Sequence, residues 1–160
     1  MKESLGNAFV FGIFTIFAFL TLFILTSAIN YSRAVKIKDR LLTYVQSYAE
    51  NHANTNENGF VDIINFDDPE FTDMVDHELS VLGYRRNVNV TNTTECPERE
   101  GAIIANTSST YKYCIYAKET SRGYYYGVMT YMYFDIPIIG TTLEFPIYGE
   151  SKIIYNLGNK

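Results

Sequence analysis

The sequence predicts an α+β chain: a long N-terminal helix, one short second helix and a small antiparallel β-sheet. Three observations carry that prediction. Residues 8–29, AFVFGIFTIFAFLTLFILTSAI, contain no charge. They pass without a proline into NYSRAVKIKDRLLTYVQSYAEN, whose apolar residues recur at spacings of three and four. Beyond residue 84 that period gives way to runs of β-formers separated by turn signals.

Taken in order, the chain divides into a short polar N-terminus at 1–7, an apolar run at 8–29, an amphipathic stalk at 30–52 and a small α+β domain at 53–160. At a helical rise of about 1.5 Å per residue the apolar run is long enough to cross roughly 30 Å of hydrocarbon. It exceeds the roughly 7 to 15 residues of a secretory h-region and lacks a small-x-small exit, so the anchor is expected to stay attached. A helix continuing from Leu5 to Asn51 would measure on the order of 70 Å, and its second half would then stand clear of a bilayer. Small residues such as Gly12, Thr15 and Ala18 interrupt the large ones, which permits close helix contact in lipid. Gly12 is otherwise only a weak point in the helix.

In the stalk, Ala34, Ile37, Leu41, Tyr44 and Tyr48, flanked by Val45, predict a face that must be buried, with Arg33, Lys36, Lys38, Asp39 and Arg40 on the remaining surface. That face packs on the chain's own distal domain, on neighbouring copies, or on both. The pattern lasts barely two heptads, too short for a coiled coil. His52 to Gly59, HANTNENG, stops the helix. Phe60 to Phe66 reads as a short strand. Asp68 then caps a second helix with Pro69 at its first position and Glu70 complementing its dipole. Phe71, Met74, Val75, Leu79 and Leu82 form its apolar face, and Gly83 ends it.

The remainder reads as strands at Arg86–Val90, Gly101–Ala105, Tyr111–Lys118 and Tyr124–Ile136, with a turn at Ser121-Arg122-Gly123. A last strand pair, punctuated by Pro137, Gly140, Pro146 and Gly149, finishes with Glu150 to Tyr155. In YYYGVMTYMYF one face carries Tyr124, Tyr126, Val128, Met132 and Phe134; the other carries Tyr125, Met129, Tyr131 and Tyr133. Both faces are apolar or amphipathic, which predicts a central strand covered on both sides. Tyr125, Tyr131 and Tyr133 are then a candidate partner surface, the alternative being a solvated tyrosine-rich face.

Composition limits the chemistry. A net charge of −5 and a pI near 5.0 leave no basic surface for nucleic acid beyond the cluster beside the apolar run. Phe concentrates in the first half and Tyr in the second, as lipid and water respectively favour. Cys96 and Cys114, the only cysteines, read as one disulfide in an exported domain or as two buried thiols in a cytosolic one. With His52 and His77 as the only histidines, a zinc site of about four ligands is not expected. Asp67, Asp68, Asp73 and Asp76 lack the spacing of a calcium loop. Asp76-His77-Glu78 lie at adjacent helical positions that point apart, with no nucleophile at a recognisable spacing. No cofactor and no enzymatic activity are expected. Asn89-Val90-Thr91, Asn92-Thr93-Thr94 and Asn106-Thr107-Ser108 fit the glycosylation acceptor pattern and mark surface loops.

The short N-terminus with Glu3, the Phe-rich run, the unbroken basic amphipathic continuation and the compact β domain with one disulfide resemble the type IV filament superfamily. The closing YMYFDIPIIGTTLEFPIYGESKIIY is similar to the ends of TadE-like minor pseudopilins of tight-adherence pilus systems, with a final strand pair beginning near Phe145-Pro146-Ile147. The GFTLIE leader signal of ordinary type IV pilins is absent.

This resemblance implies a pilin-like lollipop and an assembly helix that polymerises through Glu3, Gly12, Ala34, Ile37, Leu41, Tyr44 and Tyr48. Glu3 would register a subunit; otherwise it is a solvated terminal charge. The implied partners are membrane lipid, other copies or other pilin-like subunits, and a pilus assembly platform. The alternative is a bitopic accessory protein of an export or conjugation apparatus, holding a partner on its tyrosine-rich sheet. Lys2 against Arg33, Lys36, Lys38 and Arg40 would by the positive-inside rule place the domain in the cytoplasm. The disulfide and the resemblance place the N-terminus in the cytoplasm and the C-terminal domain outside, and that orientation is the expected one.

Overall fold

The computed structural model describes residues 2–53, 62–86, 96–106, 110–121, 123–136 and 141–154, with no side chain described at 2–5, 7, 135, 136 or 141. Its elements are α1 (Lys2–His52), α2 (Pro69–Val81), β1 (Ile103–Ile104), β2 (Tyr113–Thr120), β3 (Gly123–Ile136) and β4 (Thr141–Glu150). They form two compact units, Met1–Arg33 and Ala34–Lys160.

The first unit is helix alone. Its large apolar side chains from Phe9 to Ile29 are exposed. Each hydroxyl of the charge-free run 8–29 donates to the carbonyl one turn back: Thr15 to Phe11, Thr21 to Phe17, Thr26 to Leu22 and Ser27 to Phe23, at 2.8–2.9 Å. These side chains thus ask nothing of a solvent, and the helix is long and apolar enough to cross a membrane.

In the second unit α1 contributes Ile37, Leu41, Val45, Tyr48 and Ala49 to the core, together with Phe71, Val75 and Leu79 of α2 and Tyr113, Ile115, Ala117, Tyr126 and Val128 of the sheet. The spacing predicts Tyr44 on this face, but Val45 occupies it. Tyr44 lies beside it, half-buried, and bonds Glu78 of α2. The side-chain oxygen of Asp68 accepts the Glu70 N–H at 2.9 Å to cap α2, and Pro69 follows at its first position. Gly83, at φ 68°, closes the helix in the left-handed region that glycine adopts without strain.

The sheet is an antiparallel meander in the order β1-β2-β3-β4. The Thr120↔Gly123 pair closes the β2–β3 hairpin around two residues, fixing a register in which Cys114 faces Met129 and Lys118 faces Tyr125. The predicted faces of β3 follow. Tyr124, Tyr126 and Val128 pack with the core that the helices share, Met129 and Tyr131 form part of a second cluster, and Tyr133 touches both.

Several predicted elements differ. Asp62–Phe66 is not a strand: the Ile64 N–H reaches the Tyr126 hydroxyl at 3.4 Å and the Phe66 N–H bonds the Ala105 carbonyl at 3.2 Å, so side-chain and isolated bonds replace a ladder. The rest of the predicted segment, 60–61, lies outside the described residues. Within Arg86–Val90 only Arg86 is described, as an isolated bridge to Tyr111. Gly101–Ala105 contracts to the two residues of β1. Pro146 does not punctuate but lies inside β4, on the edge of the sheet, where a missing N–H costs no ladder bond. Among the described residues beyond Glu150 there is no last strand: the Ser151 N–H bonds the Tyr126 carbonyl at 2.7 Å, and Ile154 forms an isolated bridge to Tyr124. The predicted turn at Gly59, the strand punctuation at Pro137 and Gly140, and Tyr155 lie outside the described residues.

Tyr84 joins the helices to the sheet. Its hydroxyl donates to the Lys112 carbonyl at 2.6 Å and accepts the Tyr131 N–H at 2.9 Å, extending the β2–β3 ladder beyond its last strand pair. Burial raises the phenol pKa above its ordinary value. Tyr84→Phe leaves the buried Tyr131 N–H without this partner, and urea unfolding in detergent should show a loss of about 1–3 kcal/mol. An unchanged midpoint would remove Tyr84 from that role.

Candidate interaction surfaces

The residues expected to drive assembly fall into two groups. Gly12 lies in the exposed first unit, where a Cβ would meet nothing within 4 Å, so this chain's own packing does not demand a glycine there. Ala34, Ile37, Leu41 and Tyr48 are buried in the second unit, and Ile37, Leu41 and Tyr48 share its main core. The side chain of Glu3 lies outside the described residues.

Tyr48 also ties α1 to the start of α2. Its hydroxyl donates to Asp68 at 2.9 Å, its ring stacks on His52 at 4.0 Å, and Phe71 lies 4.9 Å away. The Glu70 N–H and the Tyr48 hydroxyl together hold the Asp68 carboxyl below its ordinary pKa. Asp68 is therefore committed to capping.

The candidate partner residues Tyr125, Tyr131 and Tyr133 share the sheet face turned away from the helices. A second core cluster forms there from Cys114, Tyr116, Met129 and Tyr131, with Cys96, Ala102, Tyr133 and Tyr148 packed against it. The chain supplies its own cover. Cys96 is bonded to Cys114, their Cα atoms 5.8 Å apart. The Tyr116 hydroxyl donates to the Pro97 carbonyl at 2.9 Å, so the Cys96–Ala102 segment lies as a strap over this face.

Cations complete the cover. The Arg99 guanidinium lies 3.6 Å from the Tyr148 ring centre and 6.0 Å from that of Tyr116. Lys112 sits 4.5 Å from Tyr131, Arg85 5.6 Å from Tyr133 and Lys118 6.0 Å from Tyr125. Tyr131 is only 7% exposed. Burial, followed by nearby groups, pushes the Tyr133 and Tyr148 phenols up to about 12, so both rings stay neutral and attract the cations through their π faces. Lys112 also pairs with Glu144. Sequence reading places the tyrosines but not these cations. The Ser121-Arg122-Gly123 turn signal was the available one, since the Thr120↔Gly123 pairing sets Lys118 opposite Tyr125.

The remaining polar candidates do not converge. Asp76 is half-buried, and desolvation raises its carboxyl pKa despite a bond to Thr110; His77 is exposed and Glu78 bonds Tyr44. Among the described residues no group of three His, Cys, Asp or Glu is placed to hold a metal ion. The Asn106 acceptor reading is corrected: Asn106 is 3% exposed, its Oδ1 accepts the Ile115 N–H at 2.6 Å and its Nδ2 donates to the Tyr113 carbonyl at 3.5 Å. Its amide is a buried extension of the sheet ladder. Asn89, Asn92, Thr107 and Ser108 lie outside the described residues.

Replacing both cysteines, Cys96→Ser with Cys114→Ser, should lower stability by about 3 kcal/mol, the loop-entropy value for a crosslink of this span. Urea titration of the full chain in detergent measures it, and an unshifted midpoint would contradict the strap's contribution. Compared with known proteins, the chain matches no family model, no curated protein and no solved structure.

Proposed function

We propose that the chain is a single-pass membrane-anchored structural or assembly subunit of pilin-like kind. Its N-terminus is cytoplasmic and its Ala34–Lys160 unit lies outside. The observation that carries this reading is α1 itself: a charge-free stretch with exposed apolar side chains and self-satisfied hydroxyls belongs to the same helix that supplies core residues to the α+β unit. A helix of that composition is stable in lipid, and equally against other helices of its own kind.

The mechanism is polymerisation. Apolar surface leaves lipid for neighbouring α1 helices, with work supplied by an ATPase elsewhere. The open space at Gly12 favours close approach between helices. The accessory-protein reading needs an open tyrosine surface, whereas Tyr125, Tyr131 and Tyr133 each already have a cation of the same chain over the ring.

A Gly12→Cys, Phe17→Cys double variant, expressed in the native membrane and treated with a bifunctional thiol reagent, should yield dimers and a ladder of higher species of this chain, and each single variant dimers alone. Adducts formed exclusively with a different protein would overturn the polymerisation reading.

A further inference from the structure

Charge is segregated along this chain. Residues 33–40 hold Arg33, Lys36, Lys38 and Arg40 with one acid, Asp39, whereas residues 41–84 hold nine Asp or Glu and no Lys or Arg. Asp39 is taken by Lys38 at 2.8 Å. Arg33, Lys36 and Arg40, at spacings of three and four, form an exposed stripe on α1 away from its buried face. On α2 the buried residues are Phe71, Val75 and Leu79, and Glu70 and Asp73 stand on the exposed side. Among the described residues none of Lys36, Arg40, Glu70 and Asp73 has an ion-pair partner within the chain.

The two faces match. Side chains three or four positions apart on a helix lie about 5–6 Å from one another, so Lys36 with Arg40 and Glu70 with Asp73 present charges of opposite sign at nearly the same interval. Both pairs belong to the Ala34–Lys160 unit, where α2 is held to α1 at Tyr44 and Tyr48 through Glu78 and Asp68. The acidic face is thereby set on the order of 12 Å further along α1 than the basic stripe. That offset separates the two faces within one chain and defines how far a neighbour must slide for them to meet.

We propose that Lys36 and Arg40 of one copy dock on the Glu70 and Asp73 face of α2 in a neighbouring copy, fixing an axial step between the two. This inference rests on the polymerisation proposed above and names a contact through which it proceeds. A second copy is the occupant because one chain carries both complementary faces; anionic headgroups would satisfy the stripe and leave the α2 face bare. The contact joins two different surfaces, so it repeats from copy to copy as a filament requires. Exposed ion pairs add little affinity but select register and partner. Packing between α1 helices supplies the affinity, and the charges choose the step at which they pack.

Two tagged forms of the full chain test the contact: Thr43→Cys, at an exposed position on the basic stripe, and Met74→Cys, 37% exposed beside Glu70 and Asp73. They are co-expressed in the native membrane, and isolated membranes are treated with a bifunctional thiol reagent. The expected product is a mixed dimer carrying both tags. Lys36→Glu with Arg40→Glu in every copy should lower its yield about tenfold, as should Glu70→Lys with Asp73→Lys, and all four changes together should restore it to within about twofold. Should a lysine in the first turn of α2 unsettle that helix, the neutral pairs Lys36→Gln with Arg40→Gln and Glu70→Gln with Asp73→Asn should each still lower the yield.

A yield that neither reversal changes, or that the four changes together do not restore, overturns the contact. Loss with the α1 reversal while the α2 reversal is silent assigns the stripe to lipid headgroups and overturns it too. The Gly12→Cys dimers described above read the underlying assembly. Where they form and the mixed dimer does not, this contact alone fails; where neither forms, polymerisation fails with it.

Discussion

The burial of Ile37, Leu41, Val45 and Tyr48 is the interaction on which the Ala34–Lys160 unit depends, because one helix face meets both α2 and the sheet in a single core. Large-to-small changes at such fully buried positions cost about 2–5 kcal/mol, a large fraction of the stability of a small domain. The same helix must also satisfy a second condition. Its earlier turns carry exposed Phe, Leu and Ile with no core to receive them. Helical geometry reconciles the two, since the backbone groups in the interior of α1 are paired within the helix and its side chains then decide which surroundings each turn fits.

The sheet meets its own problem differently. One face is closed by the two helices. The other is tyrosine-rich and has no second layer of secondary structure among the described residues, so a disulfide-held strap and four cations cover it. Tyrosine suits such a cover because its ring attracts a cation while its hydroxyl stays near water. Among the described residues of the sheet, Ile103 and Ile104 of β1 and Leu143 and Phe145 of β4 are the large apolar side chains left exposed.

Much of this was legible in the sequence. The charge-free run, the stalk spacing, the Asp68-Pro69 start and the glycine stop of α2 are local signals with one physical solution, and they appear in the structure. The alternation in β3 was legible as well, because a strand has only two faces. Tyr44 and Val45 were exchanged because adjacent helical positions differ by about 100° and the α2 partner, Glu78, decides between them. Phe60–Phe66 misled because β-formers also suit an irregular segment whose bonds go to Tyr126 and Ala105. The cation cover was not legible, since Arg85, Arg99 and Lys112 reach the tyrosines only once the meander and the disulfide are in place.

The central claim is that α1 anchors the chain in a membrane with its disulfide-bonded unit outside. Thiol accessibility in intact cells tests it most directly, using a membrane-impermeant reagent with and without prior reduction by an impermeant reductant. The account predicts that Cys96 and Cys114 label in intact cells after reduction and not before it. Labelling of both cysteines only after lysis, with no reductant needed, would put the unit in the cytoplasm as free thiols and contradict the account.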